Sequence, residues 1–272
     1  MSSAMRSTPS FFSPHLGSKL REFWRIVGAV LLQDMRTRFG ASYFGYLIAI
    51  AWPLAHMVLI IVAYYIRTRL APIGDSPTMF ISTGVIPYIL CLYPARLMAM
   101  AIVQNRSLLN LPVVYPIHLI VSRCILEMLN AMVVLSIFLF VLYLLDFDVM
   151  PTDLSEAMRA VGAAIFLGFG LGFMNISLCL LMGGFFMLFF LLAMAGLYIF
   201  SGVYIPTSVL PETVREYIIY NPIFNIVEWM RSAYYTSYDG QAINRTLVVG
   251  VGAAGLTIGL AGERFLRGAF LR

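Results

Sequence analysis

Long apolar runs broken by short polar stretches set the pattern of this chain. The first is "YLIAIAWPLAHMVLIIVAYYI", far too long for an ordinary core strand. A helix needs about 20 apolar residues to cross the hydrocarbon core of a bilayer. Six segments fit that expectation, over 46–66, 79–103, 117–145, 160–182, 185–200 and 245–262. Only Gly183 and Gly184 separate the fourth from the fifth.

Ahead of the first run the period changes. Leu20, Phe23, Trp24, Val27, Leu31 and Met35 recur at helical spacing, with Arg21, Glu22, Arg25, Gln33 and Arg36 on the other face. This predicts an amphipathic helix over 20–40, lying in the membrane interface with basic groups toward anionic headgroups. Arg25, Arg36 and Arg38 are its candidate anchors, and 1–19 is expected to be a flexible tail. Asp34 falls at the apolar edge and fits this face poorly. A plain juxtamembrane anchor explains the same charges.

After the fifth run comes "FSGVYIPTSVLPETVREYIIYNPIFNIVEWMRSAYYTSYDG". Pro211 opens a short helix with Glu212 in its first turn. Asn221-Pro222 breaks the chain, and 222–235 forms a second helix. Each piece is too short to cross. The pair reads as a re-entrant hairpin, tolerated only where protein or a water-filled cavity covers its backbone. A loop lying flat on the outer leaflet is the alternative.

Composition fixes the solvent. The 272 residues are 61% hydrophobic and 11% charged, where a soluble chain carries about a quarter charged residues. With an inside N-terminus, twelve Lys and Arg fall on the inner side and six on the outer. That bias predicts that both termini are cytoplasmic. Arg67 and Arg69 run against it. No short apolar core followed by a small-residue cleavage site precedes the first run, so the N-terminus is expected to be retained. Cys91, Cys124 and Cys179 lie in apolar runs without a CxxC pair and read as inert thiols.

Catalytic signatures are missing. Lys19, the single lysine, lacks the glycine spacing of a P-loop. His15, His56 and His118 have no metal-like spacing, and no GxSxG elbow occurs. Arg123 and Glu127, spaced i,i+4 with Asn130 nearby, read as a mutually satisfied pair, with a proton relay as the sharper alternative. Arg96 either snorkels to the interface or lines a polar cavity for an anionic substrate. The extended inner loop "VQNRSLLNLPVVYPIHL" is either a simple connection or a docking knob for a cytoplasmic partner.

Three stretches, taken in order, carry a resemblance. "QDMRTRFGASYFGYLIAIAWPLAH", "NRSLLNLPVVYPIHLIVSRCI" and "SGVYIPTSVLPETVREYIIYNPIFNIVEWMRSAYY" resemble the membrane subunits of type-2 ABC exporters for capsular polysaccharide and related lipid-linked glycans. The resemblance runs from about Leu31 to Leu271. It departs at "LLMGGFFM", uncharged where relatives often carry a charged turn. This puts any second contact with an ATPase there in doubt.

The resemblance implies an all-α integral membrane protein of the bacterial inner membrane. Six transmembrane helices, an N-terminal interface helix and re-entrant outer gate helices before the last span are expected. It further implies a homodimeric channel on two copies of a cytoplasmic ABC ATPase, which holds ATP and Mg so that this chain binds no cofactor itself. Its cargo would be a lipid-linked acidic polysaccharide, or a lipid, drug or other small molecule. Periplasmic and outer-membrane export proteins and membrane lipids would be further partners, and nucleic acid would not. The coupling helix falls on Asn105, Arg106, Leu108, Leu109, Asn110 and Pro112. The outer gate falls on Tyr204, Pro206, Pro211, Tyr217, Tyr220, Asn221, Pro222 and Trp229. Tyrosine rings suit a sugar chain, since the apolar sugar face stacks while its hydroxyls stay hydrated. Tyr198, Tyr204, Tyr234 and Tyr235 are the channel-lining candidates with Arg96, against the alternative that each is a headgroup anchor.

Overall fold

A computed structural model describes residues 14–39, 43–68, 70–236, 238 and 243–265. The described residues are helical, with no strand among them. Helix α1 spans Pro14–Phe39, α2 Tyr43–Arg67 and α3 Pro77–Met98. A one-turn α4, Ala101–Gln104, and a 3-10 turn, Arg106–Asn110, lead to α5, Pro116–Leu144. Helix α6 covers Leu154–Met182 and α7 Gly184–Ile199. Two short helices, α8 (Glu212–Ile218) and α9 (Pro222–Tyr234), precede α10, Arg245–Phe265.

Local chemistry explains the helix starts. Proline occupies the first turn of α3, α5 and α9, where its missing N–H costs nothing. Ser76 caps α3 by accepting from the Met79 N–H at 3.3 Å, and Asp153 caps α6 by accepting from Glu156 at 3.0 Å. Helices α6 and α7 are parted by Gly183, whose φ of 68° belongs to the left-handed region that glycine enters freely. Helix α1 begins at Pro14, six positions before the amphipathic stripe starts, because a first-turn proline suits a helix start. The span expected over 79–103 breaks after Met98 and resumes as α4.

Five of the described helices, α2, α3, α5, α6 and α10, are long and apolar enough to cross a membrane. Helix α7, at 16 residues, is apolar but shorter than the roughly 20 residues a straight crossing needs. Helix α3 is the axis of the bundle, nearly all buried against α2, α5, α6 and α9. Helices α6 and α10 pack closest of all. A Cβ placed on Gly170 would stand 2.1 Å from the Gly252 carbonyl oxygen, so glycine is what allows these backbones to touch. Helix α2 turns Leu47, Ile48, Trp52, Leu59 and Ile66 outward, a surface for lipid or a second subunit.

Candidate functional site

At one end of the bundle α1 lies across the start of α5, and the loop between α4 and α5 closes the corner. Its face does not follow the expected stripe. Val27, Val30 and Asp34 are buried, whereas Leu20 and Trp24 stay exposed. Val30 joins Val114 and Leu119 in a small apolar cluster with Ile26, Leu108 and Leu109, and the Phe23 ring lies 4.9 Å from His118. Arg25 and Arg36 are exposed as the interface reading expects, and the Arg38 side chain lies outside the described residues.

Asp34, the misfit of the sequence pattern, is 2% exposed. One oxygen accepts from Asn105 Nδ2 at 3.0 Å, and the other lies 3.4 Å from Arg123 Nε. Arg123, fully buried, also meets Glu127 at 3.6 Å and donates to the Gln104 side-chain oxygen. The i,i+4 pair read from sequence is therefore part of a five-residue cluster that joins α1, α4 and α5, with Asn105 at the head of the 3-10 turn. Asn105 is fixed a second time through its bond to the Ala101 carbonyl at 3.1 Å. One buried base holds two acids, so loss of Arg123 would take the shared counter-charge from both desolvated carboxylates.

The turn itself divides its side chains. Leu108 and Leu109 point inward to the apolar cluster, while Arg106, Asn110, Leu111, Pro112 and Val113 face out. Leu111, Val113 and Tyr115 are about half exposed and form the outward apolar face of this knob.

The opposite end is built on α9. Asn221 caps it by accepting from the Ile223 N–H at 2.9 Å, and its Nδ2 donates to the carbonyls of Leu197 and Phe200. The helix start is thus tied to the end of α7. Arg231, wholly buried, donates to the carbonyls of Gly202 and Val203 at 2.6 and 2.7 Å and lies 4.1 Å over the Phe80 ring. Glu228 sits one turn away, 3.8 Å from Arg231, and accepts from the Tyr238 hydroxyl. Burial pushes the Glu228 carboxyl above the usual range, with the Tyr238 bond and Arg231 pulling the other way. This Glu-Arg pair was legible only as an i,i+3 spacing inside an aromatic helix and was missed.

The expected gate residues separate into two groups. Tyr217 and Tyr220 on and after α8 are exposed, at 79% and 70%, with Pro211 beside them. Trp229 is buried instead, its Nε1 donating to Glu156 at 2.7 Å while Arg245 lies 5.1 Å over its ring. Pro206 is buried and Pro222 is half-buried at the N-terminus of α9. Tyr204 is exposed and begins a column of rings. It stands edge-on to Tyr198 at 5.6 Å, and Tyr198 stacks on Tyr88 of α3 at 4.0 Å. Farther along α3 the Tyr93 hydroxyl is 3.4 Å from His56 of α2, and Arg96 is exposed one turn beyond.

Tyr234 and Tyr235 stand away from that column. Tyr234 donates to the Val149 carbonyl at 3.2 Å, in an apolar crevice between α5 and α6. Tyr235 packs on Gly74, where a Cβ would come within 2.6 Å of its ring. Among the described residues no group of His, Cys, Asp and Glu is placed to hold a metal ion.

Long apolar helices, with two short helices joined at Asn221-Pro222 between them, describe a multi-span membrane protein. No family model matches the chain. It is similar to two forms of the polysialic acid transport protein KpsM of Escherichia coli. They are 27% and 26% identical over 239 residues, covering 86% of this chain and 91% of each relative. It is also similar to the capsule polysaccharide export inner-membrane protein CtrC of Neisseria meningitidis serogroup B, 25% identical over 221 residues, 78% of this chain and 80% of that one. The chain is a homologue of KpsM and CtrC, as the three ordered motifs led one to expect.

Proposed function

We propose that this chain is the membrane subunit of an inner-membrane exporter of acidic, lipid-linked polysaccharide. It acts as a homodimeric conduit, with ATP hydrolysed by a separate subunit docked on residues 105–112. The names and coverage of the relatives support the cargo class. One structural observation supports the docking role. The loop is held from behind by Asn105, Asp34 and Arg123 while Leu111 and Val113 face outward.

A knob fixed in that way transmits force. A push on the 3-10 turn moves α1 and α5 together, because their shared charges are buried and cannot separate cheaply. At the far end α5 leads to α6, whose Glu156 holds Trp229 of α9. Motion at the knob thus has a packed route to the hairpin that would gate exit. Tyr204 offers its exposed ring to a sugar face, backed by the buried Tyr198 and Tyr88, with Arg96 exposed farther along α3 to attract an acidic chain. Exposed apolar positions on α2, α7 and α8, among them Leu59, Ile199, Phe200 and Tyr217, suit a second copy of the chain.

The docking role is tested by co-purifying the detergent-solubilised chain with a candidate partner ABC ATPase. Leu111→Asp is expected to abolish association while leaving the melting temperature unchanged. Full association by that variant contradicts the assignment.

A further inference from the structure

Arg67 has no place in the account so far. It ends the first long apolar helix on the side where the Lys and Arg bias disfavours it. The structure puts it in the wall of a cavity of about 580 Å³, with Tyr64 of α2, Thr68 just after it, Gly202 and Tyr204 of the loop between α7 and α8, and Val214 of α8. That volume falls within the roughly 300–1,000 Å³ of small-ligand sites. Among the described residues Arg67 takes part in no ion pair, although Arg159, Arg231 and Arg245 at the same end each have a glutamate. Tyr204, 38% exposed, shares the wall and is the outermost ring of the tyrosine column.

The chemistry of these groups is specific. A guanidinium fork matches a carboxylate through two parallel hydrogen bonds. A tyrosine face beside it takes the C–H face of a pyranose ring. Thr68 adds a hydroxyl within the same wall. A phospholipid headgroup would use the guanidinium but leave the ring without a partner, and the ring continues into the bundle through Tyr198 and Tyr88. A cation without an ion pair among the described residues also suits passage, because a transport site must bind well enough to admit cargo and weakly enough to release it.

We propose that this cavity is an exit site for one acidic sugar residue of the departing chain, with Arg67 taking its carboxylate and Tyr204 its ring face. The proposal rests on the polysaccharide-export reading and adds a residue and a ligand chemistry to it.

The test uses the full chain in phosphatidylcholine nanodiscs, titrated with tetragalacturonate as acidic probe and maltotetraose as neutral probe. Wild type is expected to prefer the acidic probe, and Arg67→Gln to lose about tenfold in affinity for it, the worth of a charge-assisted bond. Arg67→Lys should recover part of the loss, and binding of maltotetraose and the melting temperature should not move. Equal acidic-probe binding by wild type and Arg67→Gln overturns the proposal, as does absence of binding by either. Discs containing phosphatidylglycerol form the second arm. Arg67-dependent retention of that lipid, with no Arg67-dependent glycan binding, makes the cavity a headgroup site and overturns the proposal. Efflux with the ATPase separates the two levels. Wild-type glycan efflux that Arg67→Gln leaves unchanged, together with unchanged binding, rejects this site alone. No ATP-dependent glycan efflux by wild type rejects the export reading beneath it.

Discussion

Asp34 of α1 and Arg123 of α5 lie 3.4 Å apart with both side chains almost completely buried, so the helix before the first long apolar span is locked to the third by charge. Asn105 joins the same carboxylate from the loop, and Glu127 joins the same guanidinium from the next turn of α5. Removing Asp34 leaves Arg123 paired with Glu127, takes the carboxylate acceptor from the buried Asn105 amide and unties α1 from α5. Asp34→Ala is therefore expected to cost about 1–3 kcal/mol. A lower melting temperature in detergent reports it, and Asp34→Asn, which keeps an acceptor for Asn105, should lose less. A melting temperature unchanged in Asp34→Ala would show that the pair does not hold α1 in place.

The loop between α4 and α5 divides its side chains between the interior and the surface. Leu108 points into the cluster of Val30, Val114 and Leu119, and Leu111 points out. Leu108→Asp should lower thermal stability, because it buries a charge among apolar groups. Arg106→Glu should leave stability unchanged and weaken ATPase stimulation, since Arg106 is exposed on the knob. Parallel melting curves and ATPase assays distinguish the two, and equal melting of Leu108→Asp and wild type would refute the inward assignment.

At the α6–α10 contact the limit is steric. A Cβ on Gly170 would lie 2.1 Å from the Gly252 carbonyl, and one on Gly255 would meet the Gly170 carbonyl at 2.5 Å. Gly170→Ala should cost about 1–3 kcal/mol through overpacking and reduce the yield of monodisperse protein. Gly196→Ala is the control, because nothing lies within 4 Å of a Cβ there. If both variants purify alike, the close approach is not what joins these helices.

Arg231 anchors the loop between α7 and α8 by hydrogen-bond geometry as well as charge. Its two terminal nitrogens reach the carbonyls of Gly202 and Val203 separately. Arg231→Lys keeps the charge but loses the fork, and should cost about 1.5–3 kcal/mol. Limited proteolysis within 200–222 should speed up in that variant. An unchanged cleavage rate would mean the loop is held by other contacts.

Much of this arrangement was legible beforehand, for physical reasons that differ from part to part. Apolar runs near 20 residues reveal membrane helices because lipid leaves no other way to satisfy the backbone. Asn221-Pro222 revealed the break before α9 because a capping amide and a first-turn proline are local signals. Asp34 was visible only as an anomaly, since its partners come from the turn after α4 and from α5, and no helical period brings distant residues together. Trp229 fell among the expected gate residues, but Glu156 of α6 draws it inward. Tyr234 and Tyr198 looked equivalent by composition. Packing sends one to the crevice between α5 and α6 and the other into the ring column.

Transport itself is the most direct test. Proteoliposomes holding the chain and its ATPase partner, loaded with a fluorescent lipid-linked acidic glycan on the ATP side, should show glycan crossing only with ATP and Mg. Leu111→Asp should abolish that crossing and leave the assembled bilayer intact. Equal crossing without ATP, or undiminished ATP-driven crossing by Leu111→Asp, would contradict the view of this chain as a conduit driven through its inner loop.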